Sequence, residues 1–243
     1  TKERLMNNAD IAELLKGIDL FSNLTESQLE QLISLVEPKS FCREETIILE
    51  KDESVQALYL IASGEVKVYM TDSDGKETIL SLLGRGDFFG EMSLIDGEPR
   101  SASVKAVTAA SLLVIRREHF LALLRSTPEL SISLLIEMCM RLRKANRHIG
   151  SLSTMSVYGR VAGTIMNLIQ EKGVRVHDGQ VGNMVTVIRN RPTQQQLAEM
   201  AGTTRETVSR IFSSLVKKGF ISVAGKDLII YDENFLEEKE LKE

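Results

Sequence analysis

The sequence has little that could support covalent or metal-centred chemistry. Of 243 residues only two are cysteines, Cys42 and Cys139, and three are histidines, His119, His148 and His177. The cysteines are far apart and in different predicted elements. Neither a disulfide framework nor a clustered metal site is therefore expected, and both read as reduced thiols. The histidines are equally scattered and suggest no triad; His148 falls on a basic helical segment and reads as a solvated face residue. There is no P-loop, and no acid–base pair beside a nucleophile. The expectation is a protein that is not an enzyme and holds no metal.

Long apolar runs are missing too. Nothing approaches a bilayer-spanning helix, and no charged-then-apolar leader opens the chain. A soluble, cytoplasmic protein with no membrane partner is expected. The chain starts at Thr1 rather than Met, which reads as a processed or trimmed start.

What is present is ordinary globular usage, with 43% hydrophobic and 26% charged residues. The length favours two domains. The net charge of −4 argues at first against nucleic acid. Its distribution argues the other way. Between Arg189 and Lys226 there are seven basic residues (Arg189, Arg191, Arg205, Arg210, Lys217, Lys218 and Lys226) against Glu199 and Glu206. A local basic patch on an acidic chain can still neutralise phosphates. The tail from Asp232 is acidic and is expected to fray.

Residues 8–36 read as short helices. Ile11, Leu14 and Leu15 keep helical spacing, Thr25 with Gln28 forms a capping box, and Leu29, Leu32, Ile33 and Val36 make an apolar face. From Phe41 to Ile115 short β-rich runs alternate with turns: 46–49, 57–61, 66–70, 78–83, 102–107 and 111–115. Such spacing predicts a small barrel or sandwich. Asp74-Gly75 marks a hairpin.

A long helix is predicted from Pro128 to about Thr154, roughly 40 Å at ~1.5 Å per residue. Leu135, Met138, Leu142, Ala145, Ile149 and Leu152 step by threes and fours along it, a heptad seam suited to a two-chain coiled coil. Arg141, Arg143, Lys144 and Arg147 flank the seam. The alternative is a helix packed on its own domain. After a break near 153–156 come a helix from Val157 to Lys172 and short strands at 174–176 and 184–188.

Two further helices follow. Thr193 with Gln196 caps the first, and Leu197, Ala198 and Ala201 form its inner face. Gly202 marks the turn. Thr203 or Thr204 caps the second, with Glu206 three residues after Thr203. Val208, Ile211, Phe212, Leu215 and Val216 line one side of it; Arg205, Glu206, Ser209, Arg210 and Ser213 line the other. This is a helix-turn-helix layout. Arg205 and Arg210 can donate to guanine and Glu206 can accept from cytosine. Thr193, Gln194, Thr203, Thr204 and Ser213 can bind phosphate oxygens. A plain surface helix with an i, i+4 Glu206–Arg210 pair is the alternative. The hairpin 221–223 and 228–231 completes a winged form, with Lys226 at its tip.

The most specific stretch is GDFFGEMSL (86–94) followed by PRSASV (99–104). A cyclic phosphate needs close backbone N–H donors, a cation and a hydroxyl donor. Gly90 permits close backbone approach, Arg100 offers a guanidinium and Ser101 a hydroxyl. Glu91 can accept from a ribose hydroxyl. Met92 and Ala102, neighbours of these groups in the two stretches, are counted with them as expected binding residues.

GDFFGEMSL…PRSASV closely resembles the phosphate-binding cassette of cyclic-nucleotide-binding domains. RETVSR after QQQLAEMAGTT resembles the recognition helix of Crp/Fnr (catabolite activator) regulators. The resemblance runs from about Leu20 to Tyr231. It implies an α+β chain divided into a cyclic-nucleotide-binding β-roll of the double-stranded β-helix or jelly-roll type (1–127), a dimerisation helix and hinge (128–155), and a winged helix-turn-helix DNA-binding domain (156–243). It implies that Gly90 and Glu91 hold the ribose, Arg100 and Ser101 the phosphate, and that Arg205, Glu206 and Arg210 read a TGTGA-like half-site. Ser209 replaces a small residue there, giving an E-x-x-S-R pattern similar to Fnr-type readers. In cAMP-dependent members a Thr and a Ser or Asn on the long helix bind adenine; here Ala145 and Asn146 stand in their place. The implied effector is a cyclic nucleotide, with cAMP the leading candidate and cGMP or a cyclic dinucleotide as alternatives. The implied partners are a palindromic operator in double-stranded DNA, a second copy of the chain and RNA polymerase. The cysteine cluster of the family's oxygen sensors is lacking, and no histidine falls in the β-roll strands to ligate haem. A constitutive DNA-binding factor, or a cyclic-nucleotide module controlling an enzyme or channel, are rival readings; the helix-turn-helix opposes the second.

Overall fold

A computed structural model describes residues 7–52, 56–177 and 184–233. The acidic tail beyond Glu233 lies outside them. The chain divides into two compact units, Thr1–Arg143 and Lys144–Glu243.

The first unit opens with helices α1 (Asn8–Lys16) and α2 (Glu26–Leu35). The Thr25/Gln28 capping box forms as expected, its hydroxyl accepting from the Gln28 N–H and the Gln28 side chain accepting from the Thr25 N–H. Eight strands follow: β1 (Glu37–Phe41), β2 (Thr46–Ile48), β3 (Ala57–Ser63), β4 (Val66–Thr71), β5 (Glu77–Leu83), β6 (Phe88–Phe89), β7 (Ser103–Ala106) and β8 (Ala110–Arg116). They form two four-stranded sheets of order β1-β8-β3-β6 and β2-β7-β4-β5. Helix α3 (Met92–Asp96) sits between β6 and β7, and α4 (Arg117–Ser126) leads into α5 (Pro128–Thr154).

The run Ala57–Ala62 is apolar without alternation because both faces of β3 are covered. Ala57, Tyr59 and Ile61 pack between the sheets with Val66, Phe89, Val104, Leu112 and Val114. Leu58, Leu60 and Ala62 turn to the helical side, where they meet Leu14, Leu32, Phe120, Leu130 and Leu134. Each such fully buried leucine contributes about 2 kcal/mol of burial free energy. Asp74-Gly75 does sit in a hairpin, joining β4 to β5; the Asp72 carboxylate accepts from the Asp74 and Lys76 N–H groups, and Gly75 has φ +78°.

Strand β1 differs from expectation, since β texture in the sequence begins only at Phe41. Its residues are almost all exposed and include Pro38, so no apolar alternation announces it. It lies at a sheet edge, where proline is tolerated.

The second unit carries α6 (Val157–Lys172), β9 (Gly173–His177), β10 (Met184–Ile188), α7 (Gln194–Ala201), α8 (Arg205–Lys217), β11 (Ile221–Ala224) and β12 (Asp227–Ile230), with sheet order β11-β12-β10-β9. Its core joins Val161, Ile165 and Leu168 of α6 to Leu197, Ala201, Val208, Ile211, Phe212, Leu215 and Leu228. Val216, expected on the inner face of α8, is 45% exposed. It lies in the last turn of α8, which ends at Lys217, beyond Leu215, the last buried residue of that helix.

On α5, Leu135, Leu142, Ile149 and Leu152 of the seam are 64, 62, 61 and 46% exposed. Met138 departs from the row: it is half-buried against the first unit's own core. Among the described residues no helix is long and apolar enough to cross a membrane, and no group of three or more His, Cys, Asp or Glu is placed to hold a metal ion.

Candidate functional site

The cassette is built where β6 ends and β7 begins. Gly90 has φ +87°, and a Cβ there would lie 2.8 Å from the Ala57 carbonyl and 2.9 Å from Arg100 Nη1. Only glycine fits that approach. Arg100 is 5% exposed and fills the same space. Its Nη1 donates to the Gly90 carbonyl at 2.8 Å and its Nη2 to the Ala57 carbonyl at 3.2 Å. Burial pulls the guanidinium's pKa down, while Tyr59, Asp52 and Glu91 nearby pull it up. The Tyr59 ring stacks on Phe89 at 5.1 Å beneath this region.

Glu91 is 4% exposed and its Oε1 accepts from Arg141 Nη1 at 3.1 Å. Arg141 lies on α5. Its Nε pairs with Glu137 at 2.8 Å, its Nη2 donates to the Phe88 carbonyl at 2.9 Å, and its guanidinium lies 4.5 Å from the centre of the Phe88 ring. The sequence by itself places Arg141 only as a charged flank of the seam. The Glu137–Arg141 spacing of four was visible, but nothing local announced Glu91 or Phe88.

Ser101 is exposed and its hydroxyl donates to Met92 Sδ at 3.8 Å. Met92 is 51% exposed, and Ala102 is buried at 9%. The structure therefore brings Gly90, Glu91, Met92, Arg100 and Ser101 together, with a buried cation, an exposed hydroxyl and a glycine turn. That donor set suits a cyclic phosphate with a ribose beside it. Asn146 and Ala145 are exposed on α5 past the end of the first unit.

In the second unit, Thr193 caps α7 by accepting from the Gln196 N–H at 3.2 Å. Gly202 ends the helix at φ +62°. Of the two candidate caps for α8, Thr204 is the one used: its hydroxyl accepts from the Thr207 N–H at 3.3 Å. Gln194, Arg205, Glu206, Ser209, Arg210 and Ser213 line one hollow on the outer side of the helix pair. Arg205, Glu206 and Arg210 are exposed. Among the described residues no ion pair joins Glu206 to Arg210, so these side chains are not consumed by each other. Lys226 is exposed at the β11–β12 tip, where its carbonyl accepts from the Arg191 N–H at 2.9 Å. Arg160 on α6 braces the turn, donating to the Met155, Ala201 and Gly202 carbonyls.

Comparison with known proteins gives the same two parts. Residues 38–127 match the model of the cyclic nucleotide-binding domain, and residues 159–239 match the Crp-like helix-turn-helix domain. The cAMP-activated global transcriptional regulator CRP of Escherichia coli O6:H1 is 34% identical over 208 residues, which span 85% of this chain and 95% of that one. The cyclic AMP receptor protein of Thermus thermophilus is 34% identical over 224 residues, 92% of this chain and 97% of that one. Among solved structures, FixK2 from Bradyrhizobium japonicum superposes with a TM-score of 0.72 at 21% identity, covering 83% of this chain and 96% of that one. With a buried guanidinium cassette in one unit and a winged helix-turn-helix in the other, this chain belongs to the Crp/Fnr family of cyclic-nucleotide-binding, DNA-binding transcription regulators.

Proposed function

We propose that this protein is a cytoplasmic homodimer whose affinity for a palindromic operator is set by cAMP bound in the β-roll. Gly90 and Glu91 take the ribose, Arg100 and Ser101 the phosphate, and Met92 and Ala102 line the pocket. Asn146 meets the base. Arg205, Glu206, Ser209 and Arg210 read base edges, while Thr193, Gln194, Thr204 and Lys226 contact phosphates.

One observation carries the reading: Glu91, inside the cassette, is ion-paired to Arg141 on α5. A ribose hydroxyl on Glu91 alters the partner that holds that helix. The exposed row Leu135, Leu142, Ile149 and Leu152 is covered by the same row of a second copy. Movement of the shared helices sets the two recognition helices about 34 Å apart, the repeat of successive major grooves. By linkage, a nucleotide that tightens DNA binding is itself held more tightly when DNA is present. Two relatives are named for cAMP, one a cAMP-activated global transcriptional regulator and the other a cyclic AMP receptor protein, which supports cAMP as the effector here; RNA polymerase is the further partner that this reading implies.

Ala145 favours a second reading. It cannot hydrogen-bond a base, so cGMP, a cyclic dinucleotide or no effector at all is the alternative. The test measures affinity for a palindromic duplex by fluorescence anisotropy, with and without cAMP, cGMP and a cyclic dinucleotide, and mass by sedimentation velocity. The proposal expects a dimer whose DNA affinity rises with cAMP. A monomer, or equal affinity with every ligand, defeats it; a response to another nucleotide alone selects the second reading.

A further inference from the structure

Met92 sits in the cassette with no donor that could grip a phosphate. It starts α3, is 51% exposed, and its sulfur accepts the Ser101 hydroxyl proton at 3.8 Å. A thioether is a weak acceptor, so the Ser101 hydroxyl is easily drawn to an anionic oxygen. Converted to the sulfoxide, the same side chain becomes polar and carries a strong acceptor oxygen. With the sulfur 3.8 Å from the Ser101 hydroxyl, a sulfoxide oxygen on the facing side is within reach of an ordinary O–H···O separation of about 2.8 Å.

We propose that Met92 is an oxidation site that lowers nucleotide affinity. The inference rests on the cassette reading above. In the step, hydrogen peroxide transfers one oxygen atom to Met92 Sδ. The sulfur loses two electrons, and the peroxide leaves as water. The sulfoxide then holds the Ser101 hydroxyl in competition with the phosphate. Reduction by a methionine sulfoxide reductase with a dithiol releases the oxygen as water and restores the thioether, while the dithiol becomes a disulfide.

Exposure alone does not single out Met92. Met70, Met140, Met155 and Met184 are 43, 60, 49 and 57% exposed and serve as internal controls. Cys42 and Cys139 are exposed as well, so a thiol reductant follows the peroxide to reverse sulfenic acid and disulfide formation.

The full chain is titrated calorimetrically with cAMP and cGMP before and after peroxide, and peptide mass mapping scores each methionine. Sulfoxide at Met92 with affinity at least about tenfold weaker is expected, equivalent to about 1.4 kcal/mol. Reductase treatment restores it. Met92→Leu, compared with its own untreated sample, does not respond. Met92→Gln, with a side-chain amide oxygen in place of the sulfoxide, binds more weakly than Met92→Leu without any oxidant. The proposal is overturned by a Met92 sulfoxide with undiminished affinity, by an equal loss in treated Met92→Leu, or by a Met92 that stays reduced while the control methionines are converted. Untreated protein that binds neither nucleotide overturns the cassette reading itself, a different result from intact binding that peroxide leaves alone.

Discussion

The two binding regions carry their charges in opposite ways. In the cassette, Arg100 and Glu91 are 5% and 4% exposed, and each is already engaged by the protein: Arg100 by two backbone carbonyls, Glu91 by Arg141. On α8, Arg205, Glu206 and Arg210 stand exposed with no ion pair between Glu206 and Arg210 among the described residues. A buried charge survives only with local partners, because leaving it unpaired costs several kcal/mol. An exposed charge needs none. The cassette's charged groups are therefore part of the fold itself, whereas the exposed face of α8 can change its residues without touching the helix's own stability.

The largest expected effect tests the first half of that contrast. Arg100→Ala weakens cyclic-nucleotide binding by about a hundredfold or more, as truncation of a buried hydrogen-bonded charge does. It also lowers the thermal midpoint, since the Gly90 and Ala57 carbonyls lose their donor, a loss of about 1–3 kcal/mol. Calorimetry and thermal unfolding read the two effects separately. A variant that loses binding with an unchanged midpoint breaks the comparison.

Arg205→Ala tests the other half. Operator affinity falls by a factor corresponding to about 1–3 kcal/mol, and discrimination relaxes at one base position. The thermal midpoint stays put, because the side chain is exposed and the α8 core of Val208, Ile211, Phe212 and Leu215 is intact. Competition binding with single-base operator variants, beside thermal unfolding, is the check. Retained base preference in the variant removes Arg205 from the reading set.

Lys226→Ala has a smaller, flatter effect. Binding weakens by about the same factor on every sequence, and the slope of log affinity against log salt falls by about one. A loss confined to one operator sequence is the contrary result.

The smallest effect concerns a charge cluster outside both sites. Burial pushes the Glu77 carboxyl up, but Lys67, by hydrogen bond and charge, and Lys105 outweigh it and hold it below the ordinary carboxylate range. The folded value lies under the unfolded one, so this contribution is complete above the unfolded pKa and is lost as pH falls through the folded one. Glu77→Gln accordingly flattens the acid limb of the thermal midpoint against pH relative to the parent. Superimposable curves mean the cluster contributes nothing.

Where local chemistry decides, the sequence was legible. Pro128 and the apolar period located α5, and the Thr193/Gln196 and Thr25/Gln28 boxes located two helix starts. The cassette was legible because glycine at φ +87° and a following guanidinium are demands of one short loop. Strand β1 was not, since an exposed edge strand needs no apolar alternation. Met138 was assigned to the seam by period alone, yet the nearby core claims it. Arg141 was passed over because its partner Glu91 is 50 residues away.

By itself, then, the sequence determined the elements, their caps, the glycine turns and the residue types of both sites, all properties that neighbours in the chain impose. Tertiary structure alone decided that Arg100 is held by the Ala57 carbonyl, that Glu91 meets a helix from another part of the chain, and that Ser101 faces a sulfur. The first two contacts arise from packing between segments 43 and 50 residues apart, and no local period or motif encodes the distance that separates them; the third depends on how the loop between Met92 and Ser101 folds.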